Sequence, residues 1–446
     1  MNYKFQEKIS RILFNAFFLI PFFTILGPLI PDLIISFTII FTFIFLIPSS
    51  KEIFLNKNKI DYFILTFFLF FIFILFSSTI NFFINGELNF DNLKSYFSRS
   101  LFLFRFIFYP ISIVYLAKKF AFNVEKKNII IFLLTIFFVI FDTLFQYFYG
   151  KDIFGFVPME RDQLAVGRLS GPFGDELIPG SYLMRYFFIT IFFLFLLIKR
   201  EIYFKIFFSI FLILCLTTIV LTGERSVTLL TLFGVLIFFI LFKKQRLIIL
   251  SGAFIFFLIS FYMLENNPTL KQRVINHSLH QFGISLEKDG NKKHYKQIKS
   301  FIDSHYGAHW ETSFEIWKRN KIIGIGLKQF RNECSKKLYD NINSRLKSIR
   351  CATHPHNTYL EVLSETGLIG LIFFLLLLLT LLIKIYKIKS YDKSIKFLMI
   401  SVILIFWPII TTGSFFTNMT QIYFTFLLTI IFMIENQIFN KFNQMK

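Results

Sequence analysis

The sequence predicts an all-α protein that crosses a membrane about twelve times and carries one large external loop. Three observations predict it. Of 446 residues, 55% are hydrophobic and only 17% are charged, with a mean hydropathy of +0.63, whereas soluble domains carry about 25% charged residues. Apolar runs of about 20 residues, long enough to cross ~30 Å of hydrocarbon, recur along the chain. Basic residues gather in alternate connections between those runs. A soluble globule is therefore excluded, and many of the 69 phenylalanines read as generic lipid-facing bulk.

The runs lie near 12–30, 33–48, 62–84, 100–117, 128–148, 178–198, 203–221, 226–242, 247–264, 362–383, 397–413 and 420–435. The first follows Lys4, Lys8 and Arg11 and lacks a small-residue cleavage pattern, so it reads as a retained signal anchor with a cytoplasmic N-terminus. Lys and Arg in short loops resist translocation. The connections then placed inside hold 23 Lys and Arg, from Lys4 to Lys446, and the short ones placed outside hold six: Lys94, Arg99, Lys151, Arg161, Arg168 and Arg225. Both termini come out cytoplasmic. The chain divides into nine helices with short loops over 1–264, a large loop over 265–356, and three helices over 357–446.

A net charge of +21 would suggest nucleic acid as partner in a soluble protein. Here roughly half of the basic residues only orient helices. The large loop, with 17 Lys and Arg against eight Asp and Glu, is long enough to translocate regardless of charge, and its excess suits a small anion rather than nucleic acid.

All seven histidines, His277, His280, His294, His305, His309, His354 and His356, fall in this loop. Histidine suits proton transfer near neutral pH; for the first five, a polar loop holding polar residues explains as much. His354 and His356 differ because they sit where the loop re-enters the membrane. Asn357 can cap the following helix, which places His356 at a helix start where the dipole favours a neutral, proton-accepting imidazole. A zinc site built on His354 and His356 would need a third ligand, and none stands at a usual spacing. Cys334 and Cys351, 17 residues apart in the same loop, can form a disulfide in an oxidising compartment, whereas Cys215 lies within a span.

Charges in or at the edge of the apolar layer are costly unless paired or hydrated. Arg99, Arg105, Asp142, Arg185, Glu224 and Arg225 qualify. Arg225 stands between two closely connected helices, the second capped by Ser226, and can present a bidentate fork to phosphate. Arg168 lies in a glycine-bearing loop over 149–177 that also holds Arg161. Arg105 with Asp142, or Arg185 with a carboxylate, read as structural ion pairs.

Three segments resemble the O-antigen ligase and O-antigen polymerase family: Arg168-Leu-Ser-Gly-Pro-Phe-Gly-Asp175, Thr222-Gly-Glu-Arg-Ser226, and above all Thr353-His-Pro-His-Asn357 continuing to Glu365-Thr-Gly-Leu-Ile-Gly370. The stretch Lys321-Ile-Ile-Gly-Ile-Gly-Leu-Lys-Gln-Phe330 resembles the family's Gly-x-Gly element. The resemblance implies a GT-C-like, metal-independent, inverting glycosyltransferase of the bacterial inner membrane, with the loop periplasmic and no cofactor. Its implied donor is a glycan on undecaprenyl diphosphate, and its acceptor lipid A–core or a second lipid-linked glycan. The family's loop arginine and histidine fall on Arg225 and His356, with His354 beside the latter. Arg168, Arg273 and Arg331 are further candidates for the diphosphate, Asn357 and Glu365 for support. Where the family carries another arginine ahead of Trp310, this chain offers His305, Tyr306 or His309. The single large loop between the ninth and tenth spans favours ligase over polymerase. A transporter or flippase is the alternative of another class, but carriers bind at the bilayer midplane and here the polar residues gather on one side.

Overall fold

The computed structural model describes residues 2–46, 61–85, 90–158, 167–276, 278, 304–344, 347–389, 392–409 and 413–439. Arg161, His277, His280, His294 and the side chain of Arg99 lie outside the described residues. Over these residues the protein is all-helical: α1 (Tyr3–Phe17), α2 (Ile20–Ile25), α3 (Leu29–Phe41), α4 (Tyr62–Asn85), α5 (Phe90–Phe102), α6 (Arg105–Lys119), α7 (Lys126–Tyr149), α8 (Pro179–Leu197), α9 (Glu201–Leu221), α10 (Arg225–Leu241), α11 (Arg246–Glu265), α12 (His305–Arg319), α13 (Thr358–Lys389), α14 (Ile395–Ile405) and α15 (Asn418–Glu435), with short helical turns between.

It is a multi-pass membrane protein. Among the described residues nine segments are long and apolar enough to span, and α10 and α14 are shorter apolar helices. The expected first span does not form as one helix. α1 closes at Phe17, where Phe18 and Leu19 bond back to Asn15 and Ala16, and Pro21 sits in the first turn of α2, where its missing N–H costs nothing.

The two ends of the bundle differ in chemistry. At one end Lys384 of α13 pairs with Asp61 at 2.5 Å and Glu435 at 2.6 Å, and the Val124 amide reaches the Ile438 carbonyl at 3.2 Å. At the other end the starts of α3, α6, α8, α10, α13 and α15 converge. There Arg105 pairs with Asp32 at 2.9 Å and Asn418 donates to Asp32 at 2.9 Å, so Asp142, the expected partner of Arg105, is not its partner. Asp142 instead accepts from the Ile153 amide at 2.9 Å.

Among the described residues many phenylalanines are buried and pack on one another, while others are exposed on the outside of the bundle. Phe17 stacks on Phe426 at 4.5 Å and Phe132 on Phe426 at 5.8 Å, with Phe193 edge-on to Phe132 at 4.8 Å. Such ring pairs add about 0.5–1.5 kcal/mol beyond their burial, which supplies packing specificity where lipid offers no hydrophobic contrast.

One irregular element positions the site. α13 breaks at Gly367 (φ 69°, ψ −170°), and residues 321–330 lie along the break. The freed carbonyls of Ser364 and Glu365 accept from the Ile325 amide at 3.1 Å and the Gly326 amide at 2.8 Å, and the Leu368 amide donates to Lys321 at 2.8 Å. Unpaired backbone groups are expensive away from water, and here the loop satisfies them. The Glu365 carboxylate accepts from the Lys328 amide at 2.7 Å, while the Lys328 ammonium pairs with Glu361 at 2.9 Å and donates to Ser414. A Cβ on Gly367 would stand 2.2 Å from the Ile322 carbonyl oxygen. Gly367→Ala is therefore expected to cost at least ~3 kcal/mol, from positive φ and collision with backbone together. A detergent-solubilised variant melting with the wild type would refute this account of the break.

Candidate functional site

The site lies at the end where helix starts converge. Three segments meet there: Gly167–Arg168, the turn Thr222-Gly223-Glu224 between α9 and α10, and the turn of helix around Arg273. The approach of the last two is close. Arg273 Nε donates to the Gly223 carbonyl at 2.8 Å, and a Cβ on Gly223 (φ +70°) would lie 2.8 Å from the Arg273 side chain and 2.9 Å from the Gly167 carbonyl. Only glycine fits that turn.

Glu224, not Ser226, is the capping residue of α10, and its carboxylate is buried and turned to another helix. It accepts from the Gly180 amide at 2.8 Å, the Ser181 amide at 3.2 Å and the Ser181 hydroxyl, all at the start of α8, where a negative charge is favoured by the helix dipole. Arg168 stands 3.9 Å from it and also donates to the Leu177 carbonyl. The acid beside Arg225 is thus engaged elsewhere.

Arg168, Arg225 and Arg273 form one electrostatic group. Burial, then repulsion from Arg168 and Arg225, pushes the Arg273 guanidinium down to about 10, so it stays charged at neutral pH. Arg225 Nη1 and Arg168 Nε are buried and have no hydrogen-bond partner among the described residues. Cationic donors left unsatisfied next to one another disfavour the empty state and are relieved by an anion that accepts several N–H bonds at once.

The histidines adjoin this group through Tyr306, which interacts electrostatically with both Arg225 and Arg273. The Tyr306 ring lies edge-on to His356 at 5.5 Å, and His354 and His309 lie 4.1 and 5.6 Å from His356, centroid to centroid. His356 adopts φ 55°, a conformation uncommon outside glycine and one that marks functional turns. Asn357 fixes it by capping α13, accepting from the Tyr359 amide at 3.0 Å and the Leu360 amide at 3.1 Å while donating to Pro408 at 2.7 Å. His354 Nδ1 lies 2.9 Å from the Thr353 hydroxyl.

The rest of the loop braces this turn. Cys334 and Cys351 are bonded, with Cα atoms 5.3 Å apart. Arg350 donates to the Cys334 carbonyl at 3.0 Å, and the Arg350 carbonyl meets His309 Nδ1 at 3.0 Å. Burial pushes the His309 and His305 imidazoles down from the usual histidine range. His305 is exposed, whereas His309 sits inside against His356.

Two openings lie at this end, one at Arg168 and one at His354. A cleft of about 530 Å³ runs from Arg168 between Tyr147, Val157, Pro158, Leu221 and Leu270. A cavity of about 400 Å³ is lined by His354, Arg331, Arg105 and Asp32. Arg331, grouped in sequence with the diphosphate candidates, lies on that second cavity and not with the three arginines. Glu365 does not face the site; it tethers Lys328 and Phe330 to α13. Arg185 lines a smaller space of about 90 Å³ with Ser181, Ser226 and Thr358, and no carboxylate pairs with it among the described residues.

Sequence reasoning passed over Asp32 and Asn418. The signal for Asp32 is an acid at the start of an apolar run, as costly there as the other charges in or at the edge of the apolar layer. Residues 210–375 match the family model described as O-antigen ligase. No curated protein matches the chain.

Proposed function

We propose that this O-antigen ligase domain serves a glycosyltransferase of the bacterial inner membrane that moves a glycan from undecaprenyl diphosphate to a sugar hydroxyl of lipid A–core at the periplasmic face. The observation that carries the reading is the placing of three guanidiniums, two with orphaned N–H donors, one aromatic ring away from His356.

A diphosphate ester is an activated leaving group, so the protein has two tasks. It must hold the charge that grows on the departing phosphate, and it must take the proton of the incoming hydroxyl. Arg225, Arg168 and Arg273 do the first. The Tyr147, Leu221 and Leu270 cleft beside Arg168 gives the polyprenyl chain an apolar path from the membrane. His356 does the second: the acceptor oxygen bonds to the anomeric carbon from the face opposite the phosphate, the carbon–oxygen bond to phosphate breaks, and the proton passes to the imidazole. The anomeric configuration inverts. The residues named supply charge and base between them, so no metal is required.

Polymerase is the neighbouring reading, with the same donor and a lipid-linked glycan as acceptor. The deciding experiment is transfer by purified protein in liposomes from an undecaprenyl diphosphate-linked glycan, with and without chelator. Transfer to lipid A–core at a rate unchanged by chelator is expected. Flipping of the donor without any transfer would overturn the reading in favour of a carrier.

A further inference from the structure

We infer that the cavity of about 400 Å³ beyond His354 is the acceptor site, and that it takes a sugar carrying one anionic substituent, a phosphate or a carboxylate. The inference rests on the transferase reading and adds to it which wall the acceptor uses and what charge it brings.

The lining is suited to a sugar. Asp32, Arg105, Thr353 and Asn418 supply donors and acceptors, and Phe102 and Phe416 supply apolar faces. Ligand sites combine apolar walls with a few convergent polar groups in this way. Two of those groups are incompletely used. Asp32 Oδ1 and Arg105 Nε are buried and have no hydrogen-bond partner among the described residues, although the two side chains already meet through Asp32 Oδ2 at 2.9 Å. One spare acceptor beside one spare donor matches neighbouring hydroxyls, each of which donates and accepts.

Charge counting gives the substituent. Arg105 is matched by Asp32, and Lys328 by Glu361 at 2.9 Å. Arg331 is exposed, and no carboxylate pairs with it among the described residues. Among the described residues lining the cavity, Arg331 is therefore the one Lys or Arg side chain without a carboxylate partner, whereas three guanidiniums gather around Arg225, with Glu224 3.9 Å from Arg168. One cation suits one anionic group on a sugar; three suit a diphosphate. The two openings are thereby distinguished, and His354, on the cavity wall and 4.1 Å from His356, marks where an acceptor hydroxyl comes within reach of the base.

The test is steady-state transfer by the purified full chain with three acceptors: a glycan bearing one phosphate, the same glycan after phosphatase treatment, and a glycan bearing one uronic acid. Arg331→Gln should raise KM for an anionic acceptor at least about tenfold, the scale of a lost charge-assisted hydrogen bond, and leave donor KM and the neutral acceptor unaffected. The arm that responds identifies phosphate or carboxylate. Asp32→Asn should raise acceptor KM for all three. Equal Arg331→Gln effects on neutral and anionic acceptors, or none, in a protein that otherwise transfers normally, would overturn the acceptor assignment alone. Absence of transfer by the wild type would overturn the transferase reading beneath it.

Discussion

Arg225→Ala is expected to reduce transfer by at least ~100-fold, the loss seen when one preorganised donor to a developing negative charge is removed. Its guanidinium sits at the first residue of α10 with Nη1 buried and unsatisfied, and its neighbour Glu224 is spent on the start of α8. No carboxylate among the described residues pairs with it, so its charge is available to the diphosphate. Among the described residues its side chain makes no hydrogen bond, and insertion and yield should stay at wild-type levels. Arg225→Lys should recover little, because an ammonium is a point donor and cannot present two parallel N–H bonds. Transfer rates of purified variants, set beside their melting temperatures, decide the matter. Wild-type transfer by the alanine variant would remove Arg225 from the site.

His356→Ala should lower kcat by ~10²–10⁴-fold, the usual worth of a positioned general base, with donor KM little changed. The left-handed backbone at His356 complicates alanine, which disfavours that conformation. His356→Asn is the control, since asparagine tolerates it but cannot accept the proton. Equal losses in both variants assign the defect to the missing base. Recovery in the asparagine variant would assign it to the turn, and His356 would then be a positioning residue only.

Much of this is legible in the sequence. Charge alternation between apolar runs gives the two ends of the bundle because translocation of Lys and Arg is costly whatever the fold. Arg225 and His356 stood out for a related reason: polar groups at a membrane edge are seldom there for packing. The remainder was hidden by the uniformity of the apolar helices. A run such as Phe187, Phe188, Phe192 and Phe193 is apolar on every side, so sequence cannot tell a lipid face from a ring-packed core; in the structure all four are fully buried. Partner choice was equally hidden. Arg105 had several acids within plausible reach, and selecting Asp32 requires knowing that α3 and α6 begin side by side. The break at Gly367 was invisible because glycine inside a helical run more often lets helices pack closely than ends the helix. Arg331 lines the cavity with His354, a placing that sequence does not show, because position along a long loop says little about which side of it a residue faces.

The segment that matches the family model, residues 210–375, contains both Arg225 and His356, yet its bonds run outward. Asn357 is held by Pro408, Glu361 by Ser414 and the Phe415 amide, Ser77 grips the Ile323 carbonyl at 2.6 Å, and Glu224 spends its charge on Gly180 and Ser181. The block is not a portable cassette. Moved into another set of helices it would carry the chemistry's letters without the scaffold that spells them, so inheritance of this site is inheritance of the whole bundle, and the helices that carry no signature are under the same constraint as those that do.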